Sequence, residues 1–121
     1  MIVLDTNSIL RCLLQDNMEM AALVDEQMAR EECFILPEVV AEIVFVLLKV
    51  YHLDRREIAA SVSAILQHEN LRFPHKAVIE TALWYFDTTK LDFVDCLLVG
   101  YAIDEGRRIF TFDKKLKKYL P

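Results

Sequence analysis

The chain has 121 residues, 55% of them hydrophobic, with two glycines, three prolines and a formal net charge of −5. That length and apolar fraction suit one domain, 1–121, with a single core, and so few glycines and prolines exclude long disordered tails. An acidic total argues against a simple DNA-binding module, whose phosphate affinity comes from Lys and Arg, but it leaves room for carboxylates gathered on a divalent cation.

Residues 2–4 are a short, β-branched apolar run that predicts a buried strand. Asp5, Thr6, Asn7 and Ser8 follow as a cluster of capping residues, and 9–14 reads as the first helix. Gln15, Asp16 and Asn17 break it. A second helix is predicted over 18–32, with Met20, Leu23, Val24 and Met28 at helical spacing. Residues 33–36 read as a second buried strand. Pro37 then stands where a helix takes its first residue, and that helix runs to about Tyr51.

Asp54-Arg55-Arg56-Glu57 has the form of a capping box and opens a helix to about Gln67. Residues 71–73 give a weaker third strand, and Pro74 and His75 lead into a helix ending near Thr88. Asp92 starts a helix through Asp104, closed by Glu105 and Gly106. A last strand is predicted over 108–111, followed by a short basic helix or turn over 114–119. Strands alternating with helices imply an α/β fold: a parallel sheet of four to five strands with helices on both faces. In such sheets, sites form beyond the carboxyl ends of the strands.

Cys12, Cys33 and Cys96 lack metal-ligand spacing and read as reduced core thiols of a cytoplasmic protein. No signal peptide is expected, because Asp5 arrives too early for an apolar leader. Pro37, Glu38, Glu42 and Lys49 interrupt the most apolar stretch, so no membrane span is expected. Trp84, Tyr85 and Phe86 read first as core packing, with a contact to another protein chain as the alternative. His52, His68 and His75 share no metal-like spacing.

Four acids stand out by position. Asp5 directly follows the first strand, and Asp113 comes two residues after the last, which predicts both at one edge of the sheet. Glu42 is the only charge between Val39 and Leu48, so burial beside a partner is expected for it. Asp95 shares a helix face with Asp92 and borders the apolar run 96–99. Each acid has a plainer reading: Asp5, Asp92 and Asp113 as helix caps, Asp95 as an acidic residue in a first turn. Together they would repel one another unless a cation sat among them, and a hard ion with oxygen ligands, Mg²⁺ or Mn²⁺, suits carboxylates. Such an ion lowers the pKa of bound water, and the chemistry that follows is hydrolysis of a phosphodiester.

The ordered set Ile2-Val3-Leu4-Asp5-Thr6-Asn7, the lone Glu42, Asp92 to Ala102 and Ile109-Phe110-Thr111-Phe112-Asp113 resembles the PIN-domain family, in particular the VapC-type toxins of toxin–antitoxin pairs. The resemblance spans essentially the whole chain. It implies a Rossmann-like PIN fold and Mg²⁺- or Mn²⁺-dependent endoribonuclease activity, with Asp5, Glu42 and Asp95 as core acids and Asp113 as the more variable fourth. It also implies that Thr6 and Asn7 shape the loop at the metal, that Thr111 orients the cluster, and that Asp92 lies just behind the ligands. A homodimer and an inhibitory antitoxin are implied as well.

An RNA substrate needs cations beside the site, and Arg11, Lys114, Lys115, Lys117 and Lys118 are the candidates. Two other function classes compete. An aspartate-based phosphotransfer protein, such as a receiver domain, suits Asp5 but expects a second acid where Asn7 stands. A non-catalytic PIN-like interaction module would ordinarily have lost acids that this chain keeps.

Overall fold

The computed structural model of the chain describes residues 2–121. Its elements run β1 (Ile2–Val3), α1 (Thr6–Leu14), α2 (Met18–Arg30), β2 (Cys33–Phe34), α3 (Pro37–Lys49), α4 (Arg55–Leu66), β3 (Leu71–Arg72), α5 (Lys76–Thr88), α6 (Phe93–Glu105) and α7 (Lys114–Lys117). The helices start where capping chemistry places them. Asn17 accepts from the Met20 amide at 3.0 Å and Asp54 from the Glu57 amide at 2.8 Å. Pro37 occupies the first turn of α3, and Gly106 ends α6 in the left-handed conformation, φ 66°.

The sheet corrects the expectation of four to five strands. Among the described residues it has three, all parallel, in the order β1-β2-β3. Ile2 pairs with Cys33 and Cys33 with Leu71, each strand being only two residues long. β1 is therefore an edge strand, and Val3 is exposed rather than buried. Residues 108–111, expected to be the last strand, form no ladder. The segment still alternates, with Ile109 and Thr111 half-buried and Phe110 and Phe112 exposed. Just before it the Arg107 amide donates to Tyr101 O, and just after it the Asp113 amide turns back onto Thr111 Oγ1. A period of two marks extended backbone, but only a free edge alongside it makes a strand.

The core runs continuously from Leu4 and Ile9 through Ile43, Leu47, Ile58 and Ile79 to Phe86, Val99 and Leu116. Helices supply most of it. The pair α5 and α6 packs most extensively, α5 also packs on α4, and α3 touches α1, α4 and α6. α5 and α6 approach so closely at Gly100 that an added Cβ would lie 2.6 Å from Val78 O. Of the aromatic run Phe86 enters the core and half-buried Tyr85 packs against it, whereas Trp84 is exposed, so the core reading is corrected at Trp84. Arg55 locks α4 to the turn before α6. It donates from Nε to Phe86 O at 2.8 Å and from Nη2 to Leu91 O, with its guanidinium 3.8 Å from the centre of the Phe86 ring. Cys33 and Cys96 are buried free thiols and Cys12 is half-buried. No helix among the described residues is long and apolar enough to cross a membrane.

Candidate active site

Asp5 follows β1 and becomes the N-cap of α1. Its Oδ1 accepts from the Ser8 amide at 2.9 Å and from Ser8 Oγ at 2.8 Å. These two bonds favour the ionised form and hold its pKa below the usual aspartate value. Thr6 is the one buried polar side chain among the described residues, whereas Asn7 is exposed. The plain capping reading of Asp5 therefore holds, and it fixes the carboxylate at the carboxyl end of β1.

Asp95 lies in the first turn of α6 and is half-buried. Burial raises its pKa first, and the negative charges of Asp113 and Asp92 raise it further. Asp92 occupies the N-cap position of α6 without capping it, so its exposed carboxylate makes no hydrogen bond there. Asp113 caps α7, accepting at Oδ1 from the amides of Lys115 at 2.8 Å and Leu116 at 3.3 Å. Thr111 Oγ1 accepts from the Asp113 amide at 3.0 Å, which fixes the backbone that carries this acid. Asp113 thus acts on the charge of Asp95 from an unpaired segment, not from the end of a sheet strand as expected.

Glu42 contradicts the expectation that it is buried. It is exposed, with no hydrogen bond or ion pair among the described residues. Helical geometry explains this: Val40, Ile43, Val44 and Leu47 form the buried stripe of α3, and Glu42 shares the open side with Phe45, itself 59% exposed. An apolar run had suggested burial all round. The neighbouring Ala41 lines a hollow of about 470 Å³ between α3 and α6, together with Phe45, Lys49, Asp92 and Asp95. The helix carrying Glu42 therefore flanks the acids of α6.

Among the described residues no three histidine, cysteine, aspartate or glutamate side chains gather to hold a metal ion, so the four-acid cluster is not assembled. What the structure does give is an Asp95 whose charge feels both Asp113 and Asp92. Mg²⁺ asks for only one or two carboxylates and completes its shell with water. An all-oxygen pair that suffers from like charge fits such an ion in kind, at Asp95 and Asp113.

The expected cations divide. Arg11 is engaged: its Nη1 pairs with Asp16 at 3.0 Å, only 17% of the side chain is exposed, and Nε is buried without a partner. Lys114, Lys115, Lys117 and Lys118 are exposed beside Asp113. Sequence reasoning missed Arg55, read only as part of a capping box. Burial lowers its pKa, and the charge of Asp92 works the other way, so this cation stands near the acids while positioning the turn that precedes them. Its neighbour Arg56 looked identical in sequence and is exposed.

No curated protein and no solved structure matches the chain significantly. The family model described as PIN domain matches residues 2–119, nearly the whole chain, with Asp5, Glu42, Asp95 and Asp113 all inside the match. The chain belongs to the PIN-domain family, whose fold is of the nuclease type.

Proposed function

We propose that this protein is a divalent-metal-dependent endoribonuclease, and that it serves as the toxin of a toxin–antitoxin pair. What supports the reading is Asp95, a half-buried carboxylate whose charge is disfavoured by burial and by the negative charges of Asp113 and Asp92, in a chain of PIN-domain membership. Raised pKa values from burial and like charge are features of functional sites.

In this reading Asp95 and Asp113 hold the ion, Thr111 keeps Asp113 in place, and Asp5 and Glu42 contribute from α1 and α3 through water. Asp92 adds negative charge behind the pair, and Thr6 and Asn7 shape the loop that carries Asp5. Mg²⁺ or Mn²⁺ supplies a water of lowered pKa and positive charge for a phosphate oxygen. Lys114 and Lys115 hold the RNA backbone next to Asp113. A cytoplasmic homodimer and a cognate antitoxin belong to the same proposal. Exposed Phe45, Val50, Tyr51 and Trp84 give such protein contacts apolar surface.

The test is cleavage of a mixed RNA pool by the purified protein with Mg²⁺, with Mn²⁺ and with chelator, beside Asp95→Asn. Metal-dependent cutting that falls by at least about a hundredfold in the variant supports the reading, since loss of a group acting in the transition state has that scale. Cutting that survives chelator or the substitution refutes it. The antitoxin is then the protein whose addition suppresses that cutting.

A further inference from the structure

The segment 107–118 carries six of the fourteen basic residues and a single acid, Asp113, in a molecule of net charge −5. The rest of the surface is therefore more acidic than the whole, and this segment is where a negatively charged body can approach. Its apolar side chains are equally unusual. Phe110 and Phe112 are 87% and 85% exposed, more than any other large apolar side chain described. Half-buried Ile109 and Thr111 alternate with them along an extended backbone, so both rings project from one side of it. The rings meet edge to face, 5.3 Å apart and at 82°, and make one apolar knob.

Arg107, Arg108 and Lys117, from the two ends of the segment, line one hollow of about 500 Å³ together with the apolar Ile109, Leu120 and Pro121. Arg107 Nε lies 4.0 Å from Glu105 Oε1, yet 70% of the Arg107 side chain stays exposed, and Arg108 and Lys117 are exposed too. An occupant must offer negative charge and apolar material together. A folded protein surface seats projecting side chains in pockets of matching shape, and it would need several acids to answer the cations. Unpaired bases stack in parallel, and rings crossed at 82° offer them no common face. An anionic bilayer presents phosphates above acyl chains that yield to any shape, and projecting phenyl rings among cations match that order.

We propose that 107–118 docks the protein on an anionic phospholipid surface. Phe110 and Phe112 enter the boundary between headgroups and acyl chains, and the hollow of Arg107, Arg108 and Lys117 takes a headgroup phosphate. Two rings alone or a few cations alone bind weakly and reversibly; the combination gives a firm contact. Neither metal nor RNA takes part, so the contact is independent of the nuclease reading.

The test is co-sedimentation of the full chain with vesicles in chelator, made of phosphatidylcholine alone or of equal parts phosphatidylcholine and phosphatidylserine. Wild type is compared with Phe110→Ala/Phe112→Ala, Phe110→Leu/Phe112→Leu and Arg107→Gln/Arg108→Gln/Lys117→Gln. Wild type should bind the mixed vesicles but not the neutral ones, and should come off as salt approaches about 1 M, where screening acts within ~3 Å. Burial of each ring is worth roughly tenfold, so the alanine pair should lose about a hundredfold in affinity. The leucine pair keeps apolar area and should keep most of the affinity. Each cation near the charged surface is worth about fivefold, so the glutamine triple should also lose roughly a hundredfold. All five side chains are solvated, so melting temperatures should stay put.

A wild type that binds neither vesicle, or both equally, overturns the proposal, as does wild-type affinity in the alanine pair or the glutamine triple. A leucine pair as weak as the alanine pair shows that ring faces are read instead of apolar area, and overturns it too. Two further arms name the rival. If the alanine pair loses affinity for a labelled single-stranded RNA while vesicle binding is unmoved, the segment belongs to nucleic acid. If its sedimentation coefficient falls in the absence of vesicles, the rings are covered by a second copy of the chain. Either result overturns the lipid contact.

Discussion

Asp5 and Asp95 are the same residue type in opposite situations. Two Ser8 bonds depress the pKa of Asp5, so its contribution to stability is present above the unfolded value and fades as pH falls through the folded one. Asp95 is raised by burial, by Asp113 and by Asp92, and its sign is reversed. The native state binds its proton more readily, so the cost is absent at low pH, grows as pH rises from the ordinary value of 3.8, and is complete above the raised one. Asp95→Asn should therefore raise the metal-free melting temperature at pH 7, by roughly 0.5–1 kcal/mol of stability for a group still partly wetted. The advantage should vanish on acidification below the ordinary aspartate range. Melting curves across that pH series decide it, and a variant less stable than wild type at pH 7 would show Asp95 to be structural. Both acids were legible in the sequence from their places after a strand and in a first turn. The burial of Glu42 was misread, because an apolar neighbourhood in sequence is not an apolar face in space.

Helices were legible to within a few residues, because signals such as Pro37, Asp54 and Gly106 announce their ends and periodicity announces their length. Strands were harder. Two-residue ladders leave almost no pattern of their own, and residues 108–111 have strand-like alternation without a neighbour to pair with. The weight of the fold falls on helix packing, and above all on the close approach of α5 and α6. Gly100→Ala tests this. Alanine is the better helix former by up to about 1 kcal/mol, yet here its Cβ would meet the Val78 carbonyl oxygen at 2.6 Å and Val78 Cγ1 at 3.0 Å. Backbone cannot yield as a side-chain tip does, so a net loss of about 1–3 kcal/mol is expected, read as a lowered denaturant midpoint. A neutral or stabilised variant would mean that the two helices can part freely.

Across the whole molecule, charge and apolar surface are divided unevenly. An acidic chain ends in a basic, aromatic-bearing segment, and its acids Asp92 and Asp95 face one hollow with Phe45 and Lys49. The family was legible in sequence because its motifs are local and ordered, and the PIN-domain match to residues 2–119 bears that out. That the four acids do not gather was not legible, since it depends on how α3, α6 and the segment before α7 lie in space. Cys33 in β2 and Cys96 in α6 are fully shielded, and burial pushes the Cys96 thiol up to about 12. Thiolate is the reactive form, so an alkylating reagent is blocked twice at Cys96, by lack of access and by lack of charge. These two thiols are thus a built-in clock for opening. If the molecule opens as one unit, both should be modified with a single time course that matches its global unfolding rate. If β2 frays ahead of α6, Cys33 should be modified first, and mass spectrometry of the quenched reaction would date the two events separately.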